Sequence, residues 1–217
     1  YNTFYNAQKF YKEGLEKNLN QTPEINPQIP LRVHVPPSAA GLTEFSEAIE
    51  RGASILRNHE DSKFVSQALA LIGKSYYYRT EYYAALEKFQ ELQAVGNREE
   101  IQRAILWQGR VFLELDNISG GINFLEKEVE QRDEWVPQIR AETELILAQL
   151  YTQEQNWQPA LDYLVNSIMN IEDPGLKARA FFLQGQLFER TGRNDQALFS
   201  YGRITEMRPG YDLEFNA

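Results

Sequence analysis

One pattern returns four times along this chain and limits what it can fold into: LALIGKSYYYRTEYYAALEKF (69–89), ILWQGRVFLELDNISGGINFL (105–125), ELILAQLYTQEQNWQPALDYL (144–164) and FFLQGQLFERTGRNDQALFSY (181–201). Each copy sets a small residue (Gly73, Gly109, Ala148, Gly185) three positions before an aromatic one (Tyr76, Phe112, Tyr151, Phe188). A second small residue follows (Ala85, Gly121, Ala160, Ala197), then a large one (Phe89, Leu125, Leu164, Tyr201). The first small positions stand 36, 39 and 37 residues apart. A recurrence of that length marks stacked supersecondary units, each too small to bury its own apolar face. Short polar turns (Arg79-Thr80-Glu81, Asp116-Asn117, Gln155-Asn156, Gly192-Arg193-Asn194) split each copy into a helix A of about 14 residues and a helix B. A glycine inside a helix costs about 1 kcal/mol relative to alanine, so Gly73 must permit a close approach. We read the small and aromatic positions as packing positions.

The pattern resembles the tetratricopeptide repeat (TPR), whose motif has small residues at positions 8 and 20, aromatics at 11 and 24 and often Pro at 32, a place taken in the last copy by Pro209. That resemblance implies an all-α fold: a right-handed superhelix, an α-solenoid of antiparallel helix pairs with about five helical hairpins. We expect one solenoid domain over 1–217, with repeats near 66–98, 102–136, 141–173 and 178–209. Residues 1–57 form an atypical first hairpin: YNTFYNAQKFYKEGLEKN (1–18) has helical period, TEFSEAIERGASILR (43–57) resembles a helix B, and five prolines interrupt 18–41. This insertion either caps the first face of the solenoid or is mobile. Residues 210–217 read as the start of a truncated next helix, and the chain as the N-terminal, processed or trimmed piece of a longer protein.

Charge narrows the partners. With 22 basic against 31 acidic residues, a net charge of -9, the average surface repels nucleic acid and anionic membranes. No run approaches the ~18 apolar residues of a membrane span. Cysteine is absent, which removes thiolate nucleophiles, disulfides and Cys-based zinc sites. His34 lies in the proline-rich loop without metal-ligand spacing, and His59 lies between helices, where Asn58 ends one and Asp61 or Ser62 caps the next. No HExxH, P-loop, GxSxG or GxGxxG motif occurs, so we expect no enzyme, catalytic residue, cofactor or metal.

The ends and residues 48–89 narrow the resemblance. YNTFYNAQKFYKEG, AIERGASILRNHEDSKFVSQALALIGKSYYYRTEYYAALEKF and RPGYDLEFNA are similar to the N-terminal repeat region of SprE/PorW-type lipoproteins of gliding motility and type IX secretion in Bacteroidetes; BamD-like outer-membrane assembly lipoproteins are the second family. This implies a periplasmic scaffold tethered to the outer membrane through a lipid anchor that this chain, lacking a lipobox Cys, does not carry. The alternatives are a cytoplasmic adaptor and a substrate-recruiting domain of a larger enzyme.

In the TPR fold the A helices line a concave groove, which by register offers Lys74, Tyr77, Tyr78, Arg103, Leu106, Arg110, Glu114, Glu142, Leu145, Gln149, Arg179, Phe182, Gln186 and Arg190. Its five basic against two acidic residues would prefer an acidic or C-terminal segment of a protein partner, with tyrosines as flat anchors. The alternative is that these arginines pair with glutamates of their own face. A carboxylate clamp for chaperone tails is missing, its positions being held by Ala70, Lys74, Trp107, Glu142 and Ile146.

Overall fold

The computed structural model describes residues 2–21, 25–58, 62–132, 134–207 and 211–216, and every regular element among them is helical. Its contacts divide the chain into two compact units: Tyr1–Thr22 with Pro36–Leu115, and Pro23–Val35 with Asp116–Ala217. The boundary falls inside the second repeat, and the proline-rich insertion is shared between the two.

Unit 1 holds α1 (Asn2–Leu19), α2 (Leu42–Asn58), α3 (Val65–Tyr78), α4 (Tyr82–Val95) and α5 (Arg98–Glu114). Each helix packs on the next, and α3 also touches α1 and α5, the arrangement of stacked helix pairs. Gly73 shows why the repeat needs its small residue. The ring of Phe89, fully buried on α4, lies so close to α3 that a Cβ on Gly73 would sit 2.7 Å from the ring edge. The same device joins the first hairpin, where the ring of Phe45 on α2 lies against Gly14 of α1. The base of the insertion is closed by Asn18, wholly buried at the end of α1: its Nδ2 donates to the carbonyls of Ser38 (2.8 Å) and Ala40 (3.0 Å), and its Oδ1 accepts from the Ser38 amide (3.1 Å). Asn97 starts α5 with a capping box, taking the amides of Glu99 and Glu100 while the Glu100 carboxylate takes that of Asn97.

Unit 2 holds α6 (Ile118–Glu130), α7 (Pro137–Gln153), α8 (Trp157–Ser167) with a 3₁₀ turn over Ile168–Asn170, α9 (Pro174–Arg190), α10 (Asn194–Met207) and α11 (Tyr211–Asn216). Successive helices again pack pairwise. Gly185 of α9 faces the ring of Tyr201 on α10, the counterpart of the Gly73–Phe89 contact. Helix α11 begins where a further repeat was expected; His59, Asp61 and Pro209 lie outside the described residues.

All four A-to-B turns use one backbone device. Thr80, Asp116, Gln155 and Gly192 adopt φ of 62°, 54°, 60° and 74°, the left-handed conformation that reverses a helix end. At three of them the amides close a Schellman motif: Thr80 N donates to Tyr77 O and Glu81 N to Tyr76 O (both 2.9 Å), and Gln155–Asn156 and Gly192–Arg193 do the same. In these three copies the aromatic at the fixed offset is thus also the residue whose carbonyl closes the helix. A β-branched residue is poorly suited to this conformation, which costs an L-residue about 1–2 kcal/mol. Thr80→Gly is therefore expected to stabilise unit 1 by about 1 kcal/mol, read as a higher urea midpoint at unchanged slope.

Candidate functional site

In unit 2 the A helices α7 and α9 present one stripe each. Leu145 and Gln149 stand four residues apart on α7, and Arg179, Phe182, Gln186 and Arg190 recur at three- and four-residue steps on α9, so each set shares a helix face. Against this face lies a polypeptide, and it is the chain's own segment 25–35. Leu31 and Val33, 8 % and 1 % exposed, enter the core cluster that contains Leu145 and Phe182. The intervening backbone is held by side chains. The Gln186 carboxamide, itself fully buried, accepts the Leu31 amide (2.6 Å) and donates to the carbonyls of Pro27 (2.9 Å) and Ile29 (2.8 Å). Gln149 accepts from Val33 (3.0 Å), Arg179 donates to the carbonyls of Arg32 (2.5 Å) and Val33 (2.9 Å), and Arg190 donates to that of Gln28 (2.5 Å).

Glutamine suits this work because one neutral group both donates and accepts, and burying it costs far less than burying a charge. The insertion therefore does not cap the first face: its central part is built into unit 2, and its base into unit 1. The sequence reading offered Arg179 and Arg190 to an acidic segment; here their N–H groups meet carbonyl dipoles instead. Burial holds Arg179 below the usual arginine pKa.

Unit 1 uses its share of the expected groove residues differently. Tyr77 is fully buried and Tyr78 is 6 % exposed, in a cluster with Phe45, Phe89 and Val111 against which Tyr11 and Trp107 pack. The Tyr77 hydroxyl donates to Glu114 (2.9 Å). The Arg110 guanidinium lies 4.3 Å from the Trp107 ring centre and 5.0 Å from that of Tyr77, and the Lys74 ammonium 5.3 Å from Trp107, all within cation–π range. Burial pushes the hydroxyls of Tyr11 and Tyr77 well above the ordinary tyrosine pKa, so both stay neutral donors. Leu106 is also buried. Arg103 is exposed and pairs with Glu99 one turn before it (2.8 Å), the glutamate pairing weighed against a partner in the sequence reading. Exposed pairs of this kind contribute ~0–1 kcal/mol and leave the arginine available.

The sequence reading missed Asn18 and the role of segment 25–35. The composition of the insertion spoke only against a helix, and the paired donors and acceptors that hold its central part sit more than a hundred residues away. His34 lies in that loop as expected, 7 % exposed, with its amide 3.4 Å from Gln149 Oε1. A third cluster joins α6, α7 and α8: Tyr151 and Tyr163 stack at 5.9 Å and both donate to Glu126. Burial, with the carboxylate beside it, pushes the Tyr163 hydroxyl up to about 12. Among the described residues no group of His, Asp and Glu is arranged to hold a metal ion, and no helix is long and apolar enough to cross a membrane.

No family model and no curated protein sequence matches the chain. Solved structures do share its fold. MamA (residues 41 to the end) from Desulfovibrio magneticus RS-1 superposes with a TM-score of 0.61 at 13% identity, over 96% of each chain. The pilF protein of Pseudomonas aeruginosa gives 0.61 at 18% identity, over 80% of this chain and 73% of that one. YrrB, described as a TPR protein with an unusual peptide-binding site, gives 0.51 at 18% identity over 81% and 80%. At these identities the likeness is one of fold, and the fold is that of TPR proteins.

Proposed function

We propose that this chain is a non-enzymatic scaffold that holds other proteins or peptide segments on its A-helix faces, as the N-terminal module of a larger cell-envelope lipoprotein serving a secretion or gliding machinery. The observation that carries the binding role is that α7 and α9 already hold a non-helical polypeptide by its main chain, through Gln149, Arg179, Gln186 and Arg190. A fold shared with a TPR protein that has a peptide-binding site supports the same reading. In unit 1 the residues offered to a partner are Arg103, exposed on α5, and Lys74, half-buried on α3. The envelope setting rests on the resemblance of the two ends and residues 48–89 to the SprE/PorW-type lipoproteins.

The test is made in cells on the full gene product, with a photo-reactive amino acid placed at Arg103 on the exposed face of α5. We expect a defined adduct with an envelope protein, recovered in the outer-membrane fraction and diminished by Lys74→Ala. A product found in the cytoplasm, or one that forms no adduct from either Arg103 or Lys74, removes the reading.

A further inference from the structure

We infer that the α7–α9 face of unit 2 is a receptor for a non-helical segment of another protein with apolar side chains two residues apart, and that segment 25–35 is a built-in, displaceable occupant of that receptor. The inference rests on the scaffold reading above and names the kind of partner that one of its faces takes.

The register of the bound segment defines what fits. Leu31 and Val33 each place a side chain into the core and an amide onto a glutamine, so their positions require an apolar residue with a free N–H. Pro27 and Pro30 stand where no amide is used in these contacts; only the carbonyl of Pro27 is. Pro27 is the second residue of a turn in which the Ile29 amide donates to the Asn26 carbonyl (3.2 Å), and at both places proline restricts the free backbone and lowers the entropy lost on binding. The resulting pattern is a turn, then proline, apolar, a spacer and apolar. Every hydrogen bond named here ends on a main-chain atom of the segment, so these bonds read backbone and not side-chain identity. A foreign segment in that register makes the same hydrogen bonds.

The holding side is built and the held side is not part of the repeat architecture. Gln186 and Gln149 are 0 % and 4 % exposed on helices in the middle of unit 2. The segment belongs to the α1–α2 connection and to none of the helix pairs of unit 2, and residues 26–29 are exposed, Ile29 at 60 %. An occupant tethered in the same chain has the advantage of high effective concentration, so a competitor has to match the register well.

The experiment uses the whole chain and a fluorescent peptide of residues 25–36 (INPQIPLRVHVP), titrated by anisotropy. The variant Leu31→Asp/Val33→Asp unseats the chain's own segment and leaves the face untouched. It is expected to bind the peptide at least about tenfold more tightly than the wild-type chain, because the unoccupied fraction of the receptor sets the apparent affinity. Adding Gln186→Ala to that variant should abolish the gain, and a peptide carrying the two aspartates should not bind. Should the variant not fold, the wild-type chain still decides: saturating peptide must accelerate hydrogen exchange at the protein's own Leu31 and Val33 amides. A folded variant that ignores the peptide, or unchanged exchange in the wild type, overturns the inference. A variant that dimerises through the vacated face, seen by light scattering, overturns the foreign partner in favour of a second copy. If the titration fails while adducts at Arg103 still form, this inference falls and the scaffold reading stands.

Discussion

Phe89→Ala is expected to destabilise unit 1 by about 3–5 kcal/mol, the range for emptying a buried phenylalanine site. The ring is fully buried, stacks on Trp107 at 5.7 Å and fills the notch that Gly73 leaves in α3, so its removal opens a cavity among three helices. The complementary change, Gly73→Ala, overpacks the same contact and is expected to cost about 1–3 kcal/mol. Alanine is a better helix former than glycine by about 1 kcal/mol, so the two effects oppose each other and the clash has to win. It wins because Phe89 is enclosed and cannot swing away.

A double-mutant cycle separates these effects. In the Phe89→Ala background the clash is gone, and Gly73→Ala should turn stabilising, by up to about 1 kcal/mol. Urea unfolding followed by circular dichroism reads all four corners of the cycle. A Gly73→Ala substitution that costs as much without the phenyl ring as with it would show that the glycine serves something other than this approach. Gly185→Ala provides the control in unit 2. Tyr201 is only partly buried and its hydroxyl donates to the exposed side of Glu189, so its ring can move outward and the cost should be smaller.

Gln186→Ala is the second large effect, and a local one. It leaves the buried Leu31 amide without its acceptor and frees the carbonyls of Pro27 and Ile29, which can turn to water because their residues are exposed. Stranding a buried amide costs about 1–3 kcal/mol, which is enough to release a short segment while the helix pairs remain. Hydrogen exchange should show lost protection at Leu31 and Val33, with the amides of α8 and α10 unchanged. Simultaneous loss of protection in those helices would mean that the segment is an integral part of the unit 2 core and not a seated occupant.

Much of this organisation was legible in the sequence, for a physical reason that differs between features. The four A helices and B helices follow from apolar periodicity over a few turns, and the contact of Gly73 with Phe89 joins residues of one hairpin only sixteen positions apart. The expected groove positions Gln149, Arg179, Phe182, Gln186 and Arg190 do meet on one side of unit 2, since helix register alone decides which residues share a face. The turns were legible as turns, but not all of their conformation: Thr80 and Gln155 take a left-handed backbone that their residue types do not advertise, imposed by the helices they join. Tyr77 and Tyr78 were read as flat anchors for a partner and are instead buried: Tyr11 of α1 and Phe45 of α2 lie against Tyr78, and Tyr82 of α4 and Trp107 of α5 lie against Tyr77.

By itself, then, the amino-acid sequence determined the repeat, its helix pairs and the faces of the A helices, all set by interactions between near neighbours in the chain. Only the tertiary structure decided what occupies those faces. A segment outside helix and sheet satisfies little of its backbone internally, here only in the turn from Asn26 to Ile29, so its place is dictated by whichever distant groups satisfy the rest, and here these are a glutamine 155 residues from Leu31 and an arginine 146 residues from Val33.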